Sequence, residues 1–212
     1  MSLDSELFAS QVWYGKSRVE VFLRGHLWIE HFLEKLLTLQ FERPEAVALD
    51  RLTWMHKLNL CDGLGLLRDW EISALSEVNR MRNRLAHDLS GEPAEEDIAR
   101  LLTLSPPNVL DAISAVREVE LDAGRLGSNE DSSLADLRFW MFAVVMDMDY
   151  RVEVGAYKKK HETKLRQAAA IVAANELTGG SMTHEEAEQA QGLPPWPQPG
   201  DSFRSSRDVE GT

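Results

Sequence analysis

The stretch Arg80-Met81-Arg82-Asn83-Arg84-Leu85-Ala86-His87-Asp88 gathers three arginines and a histidine, residue types that together can handle a phosphate. A guanidinium carries a planar fork of N–H donors matched to phosphate oxygens, and an imidazole titrates near neutrality, so it can exchange protons. Asn83 stands between two of the arginines and can orient either the phosphate or the imidazole. No cluster of metal-ligand spacing accompanies them. His26, His31, His56, His161 and His184 form neither a His-x-x-x-His pair nor a set with cysteines, so no structural zinc and no other cofactor is expected.

These residues need a helix to place them. Ala74, Val78, Met81, Leu85 and Leu89 recur at spacings of four, three, four and four, one apolar stripe that predicts a helix over about Asp69 to Leu89. At about 100° per residue, Ser76, Arg80, Asn83 and His87 then fall opposite the stripe, with Arg82 and Arg84 on its shoulders. Asn83 and His87 are four apart and so surface neighbours, whereas Arg82 and His87 are five apart and must converge over the helix end.

The pattern Arg82-Asn83-x-x-Ala86-His87 resembles the motif of the HEPN superfamily, small helical domains marked by Arg, a polar residue, and a His after four to six intervening residues. Two registers fit. Arg82 leaves four residues before His87 and has Asn83 as its polar neighbour, while Arg80 leaves six but is followed by Met81 of the apolar stripe, so Arg82 is preferred. Upstream, Lys57-Leu58-Asn59-Leu60 and Leu64-Gly65-Leu66-Leu67 look like the mannitol operon repressor branch, and the likeness spans roughly residues 17–120.

The resemblance implies a metal-independent endoribonuclease of toxin or phage-defence type. In it Arg82, Asn83 and His87 would be catalytic, with Arg80 and Arg84 as substrate-binding candidates beside them. An RNA 2′-hydroxyl would serve as nucleophile, a homodimer would be the working form, and an antitoxin or regulatory protein would restrain it. The mannitol repressor likeness implies an alternative, a non-catalytic helical regulator acting through protein contacts. A structural reading also stands beside both: His87 and Arg84 complement the negative end of the helix dipole, and Arg82 pairs with an acidic neighbour such as Asp88 or one on an adjacent helix. A DNA-binding repressor is the least favoured reading, since the net charge is −12 and no helix-turn-helix signature is present.

The excess negative charge is uneven. Residues 1–90 carry 11 Lys and Arg against 13 Asp and Glu, and the remainder 12 against 22, so the motif half is nearly neutral. The single Cys61 and the absence of a leader or an apolar span point to a reducing cytoplasm with no membrane segment.

Apolar periodicity predicts an all-α chain: a HEPN-like up-and-down bundle over residues 1–122, a helical extension over 134–177, and a disordered tail over 178–212. Within it helices are expected at Leu3–Tyr14, Ser17–Gln40, Leu52–Leu66, the motif helix, Glu95–Leu104 and Val109–Leu121. Leu134 to Leu177 reads as a long helix or a hairpin bending near Gly155, after a polar linker from Gly124 to Ser133. His26 and Glu30 read as a surface pair, Lys158 to Arg166 as a solvated helix face, and the tryptophans as core, with Trp196 a docking residue in the tail.

Overall fold

The computed structural model describes residues 5–88, 91–124 and 131–199, and every regular element among them is helical. Helix α1, Ser5–Phe8, runs into a π-helical turn at Ala9–Trp13. It is followed by α2 (Arg18–Gln40), α3 (Trp54–Gly63), α4 (Asp69–His87), α5 (Glu95–Leu104), α6 (Pro107–Asp122), α7 (Ser132–Leu177) and α8 (His184–Ala190). The result is an all-α bundle, and no helix among the described residues is long and apolar enough to cross a membrane.

Local signals set the ends. The Ser17 hydroxyl accepts from the Glu20 N–H while the Glu20 carboxylate accepts from the Lys16 N–H, which starts α2 where Ser17 predicts a boundary. Thr53 caps α3 by accepting from the His56 N–H. The far end of α3 closes at Gly65, whose φ of +66° lets the Leu66 N–H return to the Cys61 carbonyl. Pro107 occupies the first turn of α6, where its missing N–H costs nothing.

Helix α7 is a single unbroken rod of 46 residues, so the alternative of a hairpin bending near Gly155 is closed. Gly155 faces α2 instead, where a Cβ would stand 2.8 Å from Cδ1 at the end of the Leu39 side chain. The first half of α7 is also not an appendage to a bundle ending at 122. Leu137, Phe139, Trp140, Met141, Val145 and Met148 are fully or almost fully buried and complete the same core as Phe22, Ile29, Phe32 and Leu33 of α2. Trp13 and Phe142 add an aromatic contact with centroids 4.7 Å apart, and the Trp140 indole donates to Ser105 Oγ at the end of α5.

Helices α2 and α7 run side by side in the same direction. Arg138 donates to the Gly15 carbonyl at one end, Gly25 meets Met141 further on, and Lys159 donates to the Leu39 and Phe41 carbonyls at the other end. Helix α3 also runs with α2, since Trp54 stacks on His26, Lys57 bonds Glu30 and Glu34, and Cys61 faces the Leu33 carbonyl. The loop after α2 carries the chain back to the level of His26, so α2 and α3 depart from up-and-down alternation. Helix α4 then returns the opposite way, from Glu71 beside Arg151 to Arg82 beside His26.

The tail expected to be disordered from residue 178 folds through residue 199. Thr183 and Glu186 form a capping box that starts α8, and Ala187 is fully buried against Ala168 and Val172 of α7 in a small separate cluster. Beyond it the Tyr157 hydroxyl donates to the Pro194 carbonyl, and Trp196 lies with its ring 4.6 Å from that of Tyr157. The tail has little periodicity of its own because α7 supplies half of the apolar surface. Leu3, Leu89, most of the linker after Gly124, and residues 200–212 lie outside the described residues.

Candidate functional site

Helix α4 is fastened before it presents anything. At its start Glu71, 1% exposed, accepts from both terminal nitrogens of Arg151 on α7, and Arg151 also donates to the Leu66 carbonyl. Along its inner side Ala74, Leu75, Val78 and Met81 are buried, as the apolar stripe predicts, and Leu85 is half-buried. The last two turns therefore project a polar face in a fixed orientation.

Two of the three arginines on that face are tied down. Glu77, 6% exposed, accepts from Arg80 Nε at 3.1 Å and from its NH2 at 2.5 Å, and lies 3.3 Å from Arg100 Nε of α5. The hydrogen bonds and charge of Glu77 hold the Arg80 guanidinium above its ordinary pKa. Arg84 pairs with Asp97, whose carboxylate also accepts from the Ala94 N–H at the start of α5. Arg84–Asp97 and Glu77–Arg100 thus join α4 to α5, while Arg80 is held by Glu77 within α4, structural roles that the reading of Arg80 and Arg84 as substrate-binding residues did not include.

Arg82 differs. Its one hydrogen bond among the described residues goes to its neighbour Asn83 Oδ1 at 3.4 Å, and it has no acidic partner there. The acidic partner that the structural reading expected for Arg82, whether Asp88 or a residue on an adjacent helix, is not found among the described residues. His87, the last residue of α4, is exposed and has no hydrogen-bond partner among the described residues.

Arg82 and Asn83 share a cleft of about 410 Å³ with His26, Glu30, Thr53, Trp54, Met55 and Asn79. His87 does not line it. Arg82 and His87 are five positions apart, roughly 7.5 Å along the helix axis, so one protomer joins Arg82 to Asn83 and leaves the imidazole apart at the helix end.

His26 was not expected in the site. In place of a surface pair with Glu30, its ring is 6% exposed and stacks on Trp54 with centroids 4.1 Å apart. Burial, with Arg82 and Lys57 adding and Glu30 opposing, lowers its pKa to about 4, so it is neutral near pH 7. Glu30 pairs instead with Lys57, which is buried. Burial alone would lower the Lys57 pKa, but hydrogen bonds and charge from Glu30 and Glu34 outweigh it and raise it. The usable signal was the spacing of His26 with Phe22, Ile29 and Leu33, which places it on the apolar side of α2.

No family model matches the chain, and comparison with curated proteins and with solved structures finds no match to either.

Proposed function

We propose that the chain is a metal-independent endoribonuclease of the toxin or phage-defence kind, with Arg82 and His87 acting on the phosphate and Asn83 positioning it. The observation that carries this reading is a division of labour at one helix end. Arg80 and Arg84 are paired with Glu77, which Arg100 shares, and with Asp97, whereas Arg82 and His87 have no acidic partner among the described residues. A cation beside a cleft and without a counterion favours an anionic ligand. The resemblance of Arg82-Asn83-x-x-Ala86-His87 to the HEPN motif makes RNA the substrate that fits.

In such a reaction the ribose 2′-oxygen bonds to phosphorus as its proton passes to an imidazole, the P–O5′ bond breaks, and O5′ takes up a proton. Arg82 would hold the extra negative charge on the phosphate. Because Arg82 and His87 are separated on one helix, a homodimer with two α4 ends facing one another supports joint action on one phosphate.

Purified protein should cleave single-stranded RNA in the presence of a chelator, leave a cyclic phosphate, and spare DNA, which lacks the 2′-hydroxyl. His87→Ala should abolish the rate while the melting temperature holds. Arg82→Lys keeps charge but loses the fork and should cost a factor of about 10 to 1000. Equal cleavage by wild type and His87→Ala would identify contaminating nuclease and sink the reading.

The regulator reading is favoured by a different feature, an apolar cleft of about 560 Å³ between α6 and α7 lined by Trp70, Val109, Ile113, Phe139, Phe142 and Met146. Failure to cut any RNA, with any restraining partner removed, would leave protein contacts as the function.

A further inference from the structure

Two residues that line the Arg82 cleft, His26 and Trp54, carry polar atoms that the fold leaves unsatisfied. His26 Nε2 and Trp54 Nε1 are both buried and have no hydrogen-bond partner among the described residues. They belong to rings stacked at 4.1 Å and an interplanar angle of 19°, each only 6% exposed. Buried polar groups are normally satisfied, and an orphan pair within one small cleft calls for a reason. A structural role gives none, because a phenylalanine in place of either ring would keep the stacking without the desolvation cost.

The rest of the cleft supplies a graded chemistry. Arg82 brings a positive charge without an acidic partner among the described residues, the Glu30 carboxylate is held by Lys57, Asn79 and Asn83 each bring an amide that donates and accepts, and Trp54 and His26 bring an indole N–H beside a neutral imidazole. A volume of about 410 Å³ lies within the roughly 300–1,000 Å³ of small-molecule sites and is too large for a bare phosphate. We propose that this cleft seats one nucleotide, its phosphate on Arg82 and the polar edge of its base or ribose on His26 Nε2 and Trp54 Nε1.

The proposal deepens the ribonuclease reading, on which it rests for RNA as the physiological source of that nucleotide. His26 and Trp54 would be positioning residues, fixing which nucleotide lies next to the phosphate. Because both nitrogens are buried, the proposal requires the flexible Met55 and Arg82 side chains that line the cleft to shift as the nucleotide enters.

The test is calorimetric titration of the full chain with each of the four ribonucleoside monophosphates, with inorganic phosphate as a separate titrant and competitor. At least one nucleotide should bind, and inorganic phosphate should compete much more weakly. Trp54→Phe keeps an aromatic ring and deletes the N–H, and should weaken binding about tenfold, as should Arg82→Gln. Asn83→Ala alters an exposed residue and should also weaken binding, which covers the case in which Trp54→Phe does not fold.

No nucleotide binding at millimolar concentration, binding indifferent to all three variants, or equal competition by inorganic phosphate would overturn the assignment. The two readings fail separately. Nucleotide binding without RNA cleavage leaves the cleft and removes the nuclease; His87-dependent cleavage whose KM does not change in folded Trp54→Phe leaves the nuclease and removes this cleft.

Discussion

Burial of His26 ties part of the fold's stability to pH. Its pKa is about 4 in the folded chain, chiefly through burial, against 6.5 for the exposed group. Between those values the unfolded chain binds the proton and the folded chain does not, so the contribution to stability is intact above pH 6.5 and disappears as pH falls toward 4. The difference amounts to about 3 kcal/mol at pH 4. Denaturant titrations of wild type and His26→Asn from pH 7 to pH 4 should therefore converge, wild type losing more; parallel curves would show that His26 does not carry the effect. Cys61 is inert for a similar reason, since burial pushes its thiol up to about 12 and its Sγ faces the Leu33 carbonyl. The burial of His26 was readable in its spacing with Phe22, Ile29 and Leu33, whereas the surroundings of Cys61 come from packing between α2 and α3. Arg82, Asn83 and His87 were legible because their spacing on α4 is fixed by the helix, while the partners that divide the arginines, Glu77 and Asp97, and the Trp54 ring over His26 come from packing between helices.

At the scale of elements, two glycines on the α2–α7 contact make opposite demands. A Cβ on Gly25 would fall 2.6 Å from Met141 Sδ and 3.2 Å from Met141 Cβ, so backbone must move, whereas a Cβ on Gly155 meets only the end of the Leu39 side chain. Gly25→Ala should cost a net of about 1–2 kcal/mol despite better helix propensity. Gly155→Ala should be neutral or gain up to about 1 kcal/mol. Urea midpoints decide it, and a destabilised Gly155→Ala with an unaffected Gly25→Ala would reverse this picture of the contact. The start of α2 was readable at the Ser17 cap, whereas α3 begins after the Thr53 cap at Trp54 and not at Leu52, and α6 begins at Pro107 and not at Val109. What periodicity could not assign was partnership. Phe139 to Val145 was visible as an apolar cluster but not as the cover for α2, and α8 was missed because Ala168, Val172 and Tyr157 of α7 complete its apolar surface. Ending the chain after Gly179 should accordingly raise amide exchange over residues 157–177 and leave the main melting transition in place. Unchanged exchange there would mean that α8 contributes no order to α7.

On the scale of the molecule, a net charge of −12 surrounds a helix end whose Arg82 and His87 have no acidic partner among the described residues. Two such ends facing each other would repel through their arginines unless an anion lay between them, so the proposed homodimer should tighten when phosphate or RNA is added. Sedimentation at tens of micromolar should show the shift; monomer alone in both conditions would count against the dimer. The parallel run of α2 and α7 joins residues 118 to 123 positions apart. During synthesis at roughly 5–20 residues per second, Phe32 and Leu33 of α2 leave the ribosome on the order of 6–25 s before their cover exists. Nascent α2 is therefore a stretch that a chaperone would meet uncovered, and folding of the bundle cannot finish until translation has delivered α7.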